Sequence, residues 1–240
     1  MIETGMKIEE VKEAGWLRLR AALFDLDGTI VDSVEVFYQI LVEICRRTSL
    51  PLADREKVRE VMRKGTQPWD LILPADIPDR DGMINQCHDI AKEIWQGIYR
   101  KEARVFPECL EVMRKIKEAD MKIGIVSSGW DEGGEITRLL KEGGIFHLID
   151  VMITRIDVPN IKPSADPINE CLRRLKIPAE YAVYVGDSLV DIIAGREAGT
   201  MTIGVLTGAS DHNDLSQENP DMIIESITDL PRIFDLQAMD

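Results

Sequence analysis

Residues 21–33 read AALFDLDGTIVDS. The opening AALF is apolar on successive positions, the pattern of a strand buried on both faces; a half-exposed strand would alternate. It runs into Asp25-Leu26-Asp27-Gly28, two carboxylates at i and i+2 entering a glycine turn. Doubly wound sheets bind ligands outside the carboxyl ends of their strands. An acidic pair at such an end suits a nucleophile and an acid–base partner sharing a metal. Asp residues that merely cap a turn would explain the same letters. Further on, Asp32-x-x-Glu35 has the form of a capping box for a following helix, and Ser33 is a second capping candidate.

Working outward, runs of the same kind recur at 122–128 (KIGIVSS), 150–154 (DVMIT), 181–187 (YAVYVGD), 201–205 (MTIGV) and 221–224 (DMII). Between them apolar residues fall at helical spacing: Cys109, Val112, Met113 and Ile116 in 108–119, and Ile168, Cys171, Leu172 and Leu175 in 165–176. A third such stretch is 189–198, with Leu189, Ile192 and Ile193. From residue 106 onward helix and strand alternate, which predicts an α/β fold with a Rossmann-like, doubly wound parallel sheet. Residues 34–105 break the alternation. Val36, Phe37, Ile40, Leu41 and Ile44, then Val58, Val61 and Met62, then Ile84, Cys87, Ile90, Ala91 and Ile94 keep helical spacing, with no convincing strand among them. The reading is a core of residues 1–33 and 106–240 with an all-helical insertion at 34–105. Residues 7–16 read as a short charged helix added before the first strand.

Length agrees. At 240 residues the chain is about one and a half domains at ~150 residues each, a core with a modest insertion. Acids outnumber bases 43 to 29, a net charge of −14, which speaks against nucleic acid or an anionic membrane as partner. No run approaches the ~18 apolar residues of a membrane span, and the start lacks a basic leader with an apolar stretch. Cys45, Cys87, Cys109 and Cys171 match no zinc or redox spacing and read as thiols in a reducing cytoplasm. His88, His147 and His212 are scattered, so a histidine metal site is poorly supported.

Three more strand ends carry polar residues. Ser127-Ser128-Gly129 offers a hydroxyl and backbone N–H groups at a strand-to-helix turn, suited to phosphoryl oxygens though also common loop chemistry. Lys162-Pro163 lies in PNIKPSADPI, where a lone lysine is ordinarily solvated. Gly186-Asp187-Ser188-Leu189-Val190-Asp191 sets two acids four residues apart, on one face if Asp191 is helical, with an N-cap as the structural alternative.

Taken in order over residues 21–199, these four stretches resemble the four motifs of the haloacid dehalogenase superfamily. The resemblance implies that Asp25 forms an aspartyl-phosphate. It implies that Asp27, absent from the dehalogenase branch, protonates the leaving group and then deprotonates water. Ser127, Ser128, Gly129 and Lys162 would bind phosphate, and Lys162 would also neutralise Asp25. Asp25, Asp187 and the Asp27 carbonyl would hold Mg²⁺, with Asp191 acting through water or bracing Lys162 and Ser188 a lesser candidate. One departure is Gly133-Gly134, where the helix after the second motif should begin. The 34–105 insertion resembles the helical C1 cap of the superfamily, and phosphoglycolate phosphatases look most similar.

Caps of this kind place specificity residues over the site, and Arg63, Lys64, Thr66 and Gln67 around Gly65 are the candidates; an ordinary helix linker fits them too. Arg46-Arg47 read as a helix end, and Met62, Trp69, Met83 and Trp95 as packing. The implied function is a cytoplasmic, Mg²⁺-dependent phosphatase of a small phosphorylated metabolite, monomer or homodimer. Phosphoglycolate, pyrophosphate, sugar phosphates and nucleoside monophosphates all remain open. The alternatives are a β-phosphoglucomutase-like mutase, a phosphonate hydrolase and a non-catalytic binding protein.

Overall fold

β1 (Ala21–Phe24) lies at the middle of the protein because every one of its side chains is buried. A computed structural model describes residues 18–236 apart from 53, 67, 130 and 132, with only the backbone of Asp70 and Leu71. The charged stretch 7–16 lies outside the described residues. After β1, the chain passes β2 (Val31–Asp32) into helices α1 (Val34–Thr48), α2 (Arg55–Lys64), α3 (Trp69–Ile72) and α4 (Arg80–Glu102), and returns by β3 (Arg104–Val105). Then follow α5 (Cys109–Glu118), β4 (Lys122–Val126), α6 (Glu135–Glu142), β5 (Val151–Ile153), α7 (Asp166–Leu175) and β6 (Ala182–Gly186). The described chain closes with α8 (Leu189–Ala198), β7 (Met201–Val205), α9 (His212–Ser216), β8 (Met222–Ile224) and α10 (Leu230–Ile233).

Six strands form one parallel sheet in the order β5-β4-β1-β6-β7-β8. β1 pairs with β4 on one side (Phe24 opposite Ile125) and with β6 on the other (Phe24 opposite Val185). Its alternate residues feed two cores. Ala21 and Leu23 pack with Ile168, Cys171 and Tyr184, and Ala22 and Phe24 with Met113, Ile123 and Ile125. Full burial of Leu23 or Phe24 contributes about 1.5–3 kcal/mol each. The strand order reverses at β1, so the carboxyl ends of β1, β4 and β6 border the switch point of the fold. This is the doubly wound sheet that the runs of apolar residues predict.

The insertion is helical as expected, with one addition. Val31 and Asp32 pair antiparallel with Val105 and Arg104, a two-residue ribbon too short to show periodicity in the sequence. That ribbon also overturns the capping box expected at Asp32. Held extended against Arg104, Asp32 stops one residue short of the cap position, which Ser33 occupies without a side-chain cap bond. Glu35 turns to Gln39 and Arg55 instead. α1 and α4 pack through Val36, Ile40, Leu41 and Ile44 on one side and Cys87, Ile94 and Tyr99 on the other. α2 opens on Asp54, whose carboxylate accepts from Lys57 N at 2.8 Å, and closes on Gly65 at φ +59°. Burial pushes the thiols of Cys109 and Cys171 up to about 12, which makes them inert at neutral pH. Among the described residues no helix is long and apolar enough to cross a membrane.

Candidate active site

The site is built where β1 stops. Asp25 still bonds in register, its N–H donating to Val185 O at 2.8 Å, so its carboxyl emerges at the switch point. The chain then doubles back: Ile30 N and Val31 N both donate to Leu26 O, and Gly28 N donates to Val31 O. Gly28 adopts φ +86°, and a Cβ there would lie 2.5 Å from Asp187 Oδ2. Glycine is required on both counts. Asp27 rides on this turn, half-buried, with Oδ1 enclosed and, by distance and angle, no hydrogen-bond partner among the described residues. The Ser33 hydroxyl is buried too, and it is the group that most opposes the rise of the Asp27 carboxyl.

Lys162 is 5% exposed and its ammonium is saturated. It donates to Asp25 Oδ1, to Asp191 Oδ1 at 2.6 Å, to Tyr184 Oη at 3.0 Å and to Val126 O at 3.4 Å. Burial works to discharge it, but the carboxylates of Asp191 and Asp25 overcome that and hold its pKa well above the usual lysine value. Asp191 is tied further, its Oδ2 accepting from Ser188 N at 3.1 Å and from the Ser188 hydroxyl at the start of α8. Asp191 thus contacts Lys162 through Oδ1 and Ser188 through Oδ2. Asp187 accepts from Ala209 N at 2.7 Å and from Thr29 Oγ1 at 3.4 Å. Ser127 closes β4, its N–H donating to Ile153 O at 2.9 Å and its Oγ accepting from Gly129 N at 3.0 Å. Ser128 and Gly129 follow, half-buried. The helix after them starts at Glu135, beyond Gly134 at φ +70°, so the glycine pair only delays it.

Four carboxyls, those of Asp25, Asp27, Asp187 and Asp191, thus surround one ammonium. Burial pushes Asp25 well above the usual carboxylate range; Lys162 opposes this, and Asp191, Asp187 and Asp27 add to it. Burial raises Asp27 to about 6 against the pull of Ser33 and Lys162. Burial, then Asp191, raises Asp187 to about 7. Burial is the largest cause of all three shifts. The donor set fits a hard divalent cation: Asp25, Asp187 and Asp191 each offer an oxygen, all within 4.8 Å of one another.

Of the cap candidates, Arg63 NH1 donates to Asp214 Oδ2 at 2.8 Å on α9, and Lys64 pairs with Glu60 at 2.7 Å. Thr66 is exposed, Gly65 abuts Val190 at the start of α8, and Gln67 lies outside the described residues. Sequence reasoning missed the turn after β7. Thr207 Oγ1 donates to Gly28 O at 2.6 Å, and Gly208 presses on Asp187, where a Cβ would lie 2.0 Å from Oδ2. The strand-end rule applied to Thr207-Gly208-Ala209 would have found it. It also missed Tyr184, whose hydroxyl needs a polar partner inside a strand and finds Lys162 and Asp191.

A doubly wound sheet with carboxyls and a buried lysine at its switch point has an acidic cluster where such folds bind ligands. The haloacid dehalogenase-like hydrolase family model matches residues 22–205. The chain is 30% identical to pyrophosphatase PpaX of Listeria monocytogenes over 223 residues, 89% of this chain and 95% of that one. It is 26% identical to N-acetylmuramic acid 6-phosphate phosphatase of Pseudomonas putida over 220 residues, 91% of this chain and 97% of that one. In fold it is similar to the haloacid dehalogenase-like protein SP0104 of Streptococcus pneumoniae, TM-score 0.74 at 21% identity, over 90% of this chain and 99% of that one. The chain belongs to the haloacid dehalogenase-like hydrolase family. Within it, the chain is a phosphoric ester hydrolase.

Proposed function

We propose that this enzyme is a Mg²⁺-dependent phosphatase that hydrolyses a small phosphorylated metabolite through an aspartyl-phosphate on Asp25. The observation that carries the reading is Lys162 buried between Asp25 and Asp191 while Asp27, two residues on, keeps an enclosed and unpartnered oxygen.

An Asp25 oxygen attacks phosphorus as the ester P–O bond breaks, and the departing oxygen takes the proton of Asp27. Asp27, now a carboxylate, removes a proton from water. The water oxygen attacks the same phosphorus, the P–O bond to Asp25 breaks, and inorganic phosphate leaves with both aspartates restored. Lys162 keeps its protons and offsets charge on Asp25 and on the phosphoryl oxygens. Ser127, the Ser128 N–H and the Gly129 N–H, which would exchange its bond to Ser127 Oγ, bind those oxygens. Asp25, Asp187 and the Asp27 carbonyl would hold Mg²⁺, with Asp191 and Ser188 behind them, and the ion would supply positive charge to offset an anion at this acidic site.

Residues 34–105 are proposed as the cap, with specificity at Arg63, Lys64, Thr66 and Gln67. The Asp214 and Glu60 partners of the two cations support a tethering role for them beside any contact with substrate. The buried thiols of Cys87, Cys109 and Cys171 support a reducing cytoplasm as the compartment. One chain carries all the proposed site residues, so a monomer or a homodimer serves.

The test is phosphate release from pyrophosphate, N-acetylmuramic acid 6-phosphate, phosphoglycolate and a sugar phosphate. Turnover with Mg²⁺ is expected on at least one, and none in EDTA or in Asp25→Asn. Full activity of Asp25→Asn refutes the covalent mechanism.

A further inference from the structure

The helical insertion touches the core on both sides of Asp25, which follows β1 between β4 and β6. On the β4 side, α4 lies on the segment after Ser127-Ser128-Gly129: a Cβ on Gly133 would lie 2.4 Å from Gln96 Nε2, and Arg100 pairs with buried Glu135. On the β6 side, the end of α2 lies on the start of α8: a Cβ on Gly65 would lie 3.0 Å from Val190 Cγ1. Beside that contact the Arg63 guanidinium donates to Asp214 Oδ2 at 2.8 Å, the two side chains being 17% and 20% exposed. The insertion therefore spans the strand end that carries Asp25, and Asp25 is 7% exposed.

The two sides differ in how they are held. Gln96 and Arg100 stand close to β3 in the chain, so the β4-side contact lies beside the root of the insertion. Arg63 is far along the chain from both β2 and β3. Its partner is fixed from behind. Asp214 is the third residue of α9, its Oδ2 accepting from Asp211 N at 3.2 Å and its N–H donating to Asp211 Oδ1 at 2.8 Å. The same segment begins with Thr207-Gly208-Ala209, bonded to Gly28 O and to Asp187. One short piece of the core, 207–214, grips the Asp187 side of the site at one end and the insertion at the other. Attack on phosphorus needs about 3–3.5 Å between the reacting atoms. A carboxyl as enclosed as Asp25 admits no ester from solvent while its cover stays in place, and phosphate formed there has no exit. A cover rooted on the β4 side moves away by parting from the core on the β6 side.

We infer that the Arg63–Asp214 ion pair is a latch: the insertion swings about its root at β2 and β3, and small anions enter and leave the site when this pair parts. The inference rests on the phosphatase reading above for the anion that enters. The strength of the pair does not depend on what the site holds, so it favours the closed form of empty and filled enzyme alike. It therefore sets how fast an anion passes and leaves the affinity unchanged.

The test is Asp214→Asn, which removes the charge and keeps an acceptor for Asp211 N. Binding of orthovanadate in Mg²⁺ is followed by stopped-flow fluorescence, with Trp69 and Trp95 of the insertion as reporters. The association and dissociation rates should both rise about two- to fivefold, the weight of a partly exposed ion pair. The Kd should stay within about twofold. Arg63→Gln and the double variant should associate as fast as Asp214→Asn, because either change alone breaks the pair. Salt at about 0.5 M should narrow the gap between wild type and variant. Unchanged rates in folded Asp214→Asn, additive effects in the double variant, or weaker binding at an unchanged association rate would each overturn the latch. Should Asp214→Asn not fold, Arg63→Gln reads the same association rate. Folded wild type that binds no orthovanadate overturns the phosphatase reading instead, and entry is then read with Mg²⁺ alone.

Discussion

Replacing Lys162 by Met removes the one ammonium from a box of four carboxyls while keeping most of the side-chain volume. Its Nζ lies 2.6 Å from Asp191 Oδ1, and Asp191 is wholly buried. Taking away one partner of a buried pair leaves the other uncompensated, at a cost of about 3–5 kcal/mol. For a chain of this length each kcal/mol moves Tm by roughly 2–4 °C, so the metal-free variant should melt about 6–20 °C lower. The sign of the pH dependence follows from Asp25. Its carboxyl already stands above the usual range, and Lys162 is the group that opposes the rise. Without Lys162 it rises further, so the folded variant binds protons that the unfolded chain does not. Such a group stabilises at low pH and loses that contribution as pH rises through the folded pKa. The Tm deficit should therefore be larger at about pH 7.5 than at about pH 5.5. Scanning calorimetry of both proteins in EDTA at the two pH values reads it, and Mg²⁺ should restore part of the deficit. A deficit of under about 2 °C at the higher pH, or one that grows on acidification, refutes the reasoning.

Gly28→Ala strains a φ of +86° and drives a methyl to 2.5 Å from Asp187 Oδ2. The first effect costs about 1–2 kcal/mol by denaturant unfolding, and the second should weaken Mg²⁺ binding in calorimetric titration. Arg63→Ala breaks the partly buried pair with Asp214 across 151 residues of chain. Stability should fall by up to about 1 kcal/mol, with hydrogen exchange faster in α2 than in β1. Asp150 and Asp157 titrate below 3.8 although burial opposes it, because Lys117 and Ile123 N hold the first and Thr154 N and Arg174 the second. Their stabilisation is complete above the usual carboxylate range and lost as pH falls through the depressed folded pKa, so the deficit of Asp150→Asn against wild type should be full at about pH 6 and shrink on acidification.

The sheet was legible because its strands are buried on both faces, so Ala21–Phe24 and Ala182–Gly186 show as unbroken apolar runs. The residues at the strand ends were legible for the same reason: a carboxylate directly after such a run has no packing role. Contacts made by backbone and small residues were not. Only its place after β7 marks Thr207-Gly208-Ala209, since what it brings to Asp187 is an N–H and the absence of a Cβ, and its hydroxyl goes to Gly28 O. The Arg104-Val105 strand was hidden by length, and with it the reason that Asp32 is no cap.

The ribbon gives Asp25 and Asp27 different mechanical attachments although they are two residues apart. Asp25 belongs to the sheet, bonded to β6 through Val185 O. Asp27 belongs to the turn that becomes β2, and β2 is one of the two strands by which the helical insertion is joined to the core. The return strand closes the same turn, with Phe106 N donating to Ile30 O at 2.9 Å. The candidate nucleophile is thus fixed to the most buried strand of the fold, while the candidate acid–base group sits at the root of the insertion. Both ends of the inserted segment therefore meet at the turn that carries Asp27. An insertion at this point in the chain can vary in sequence and shape with the molecule to be recognised and leave the attacking carboxylate where the sheet puts it.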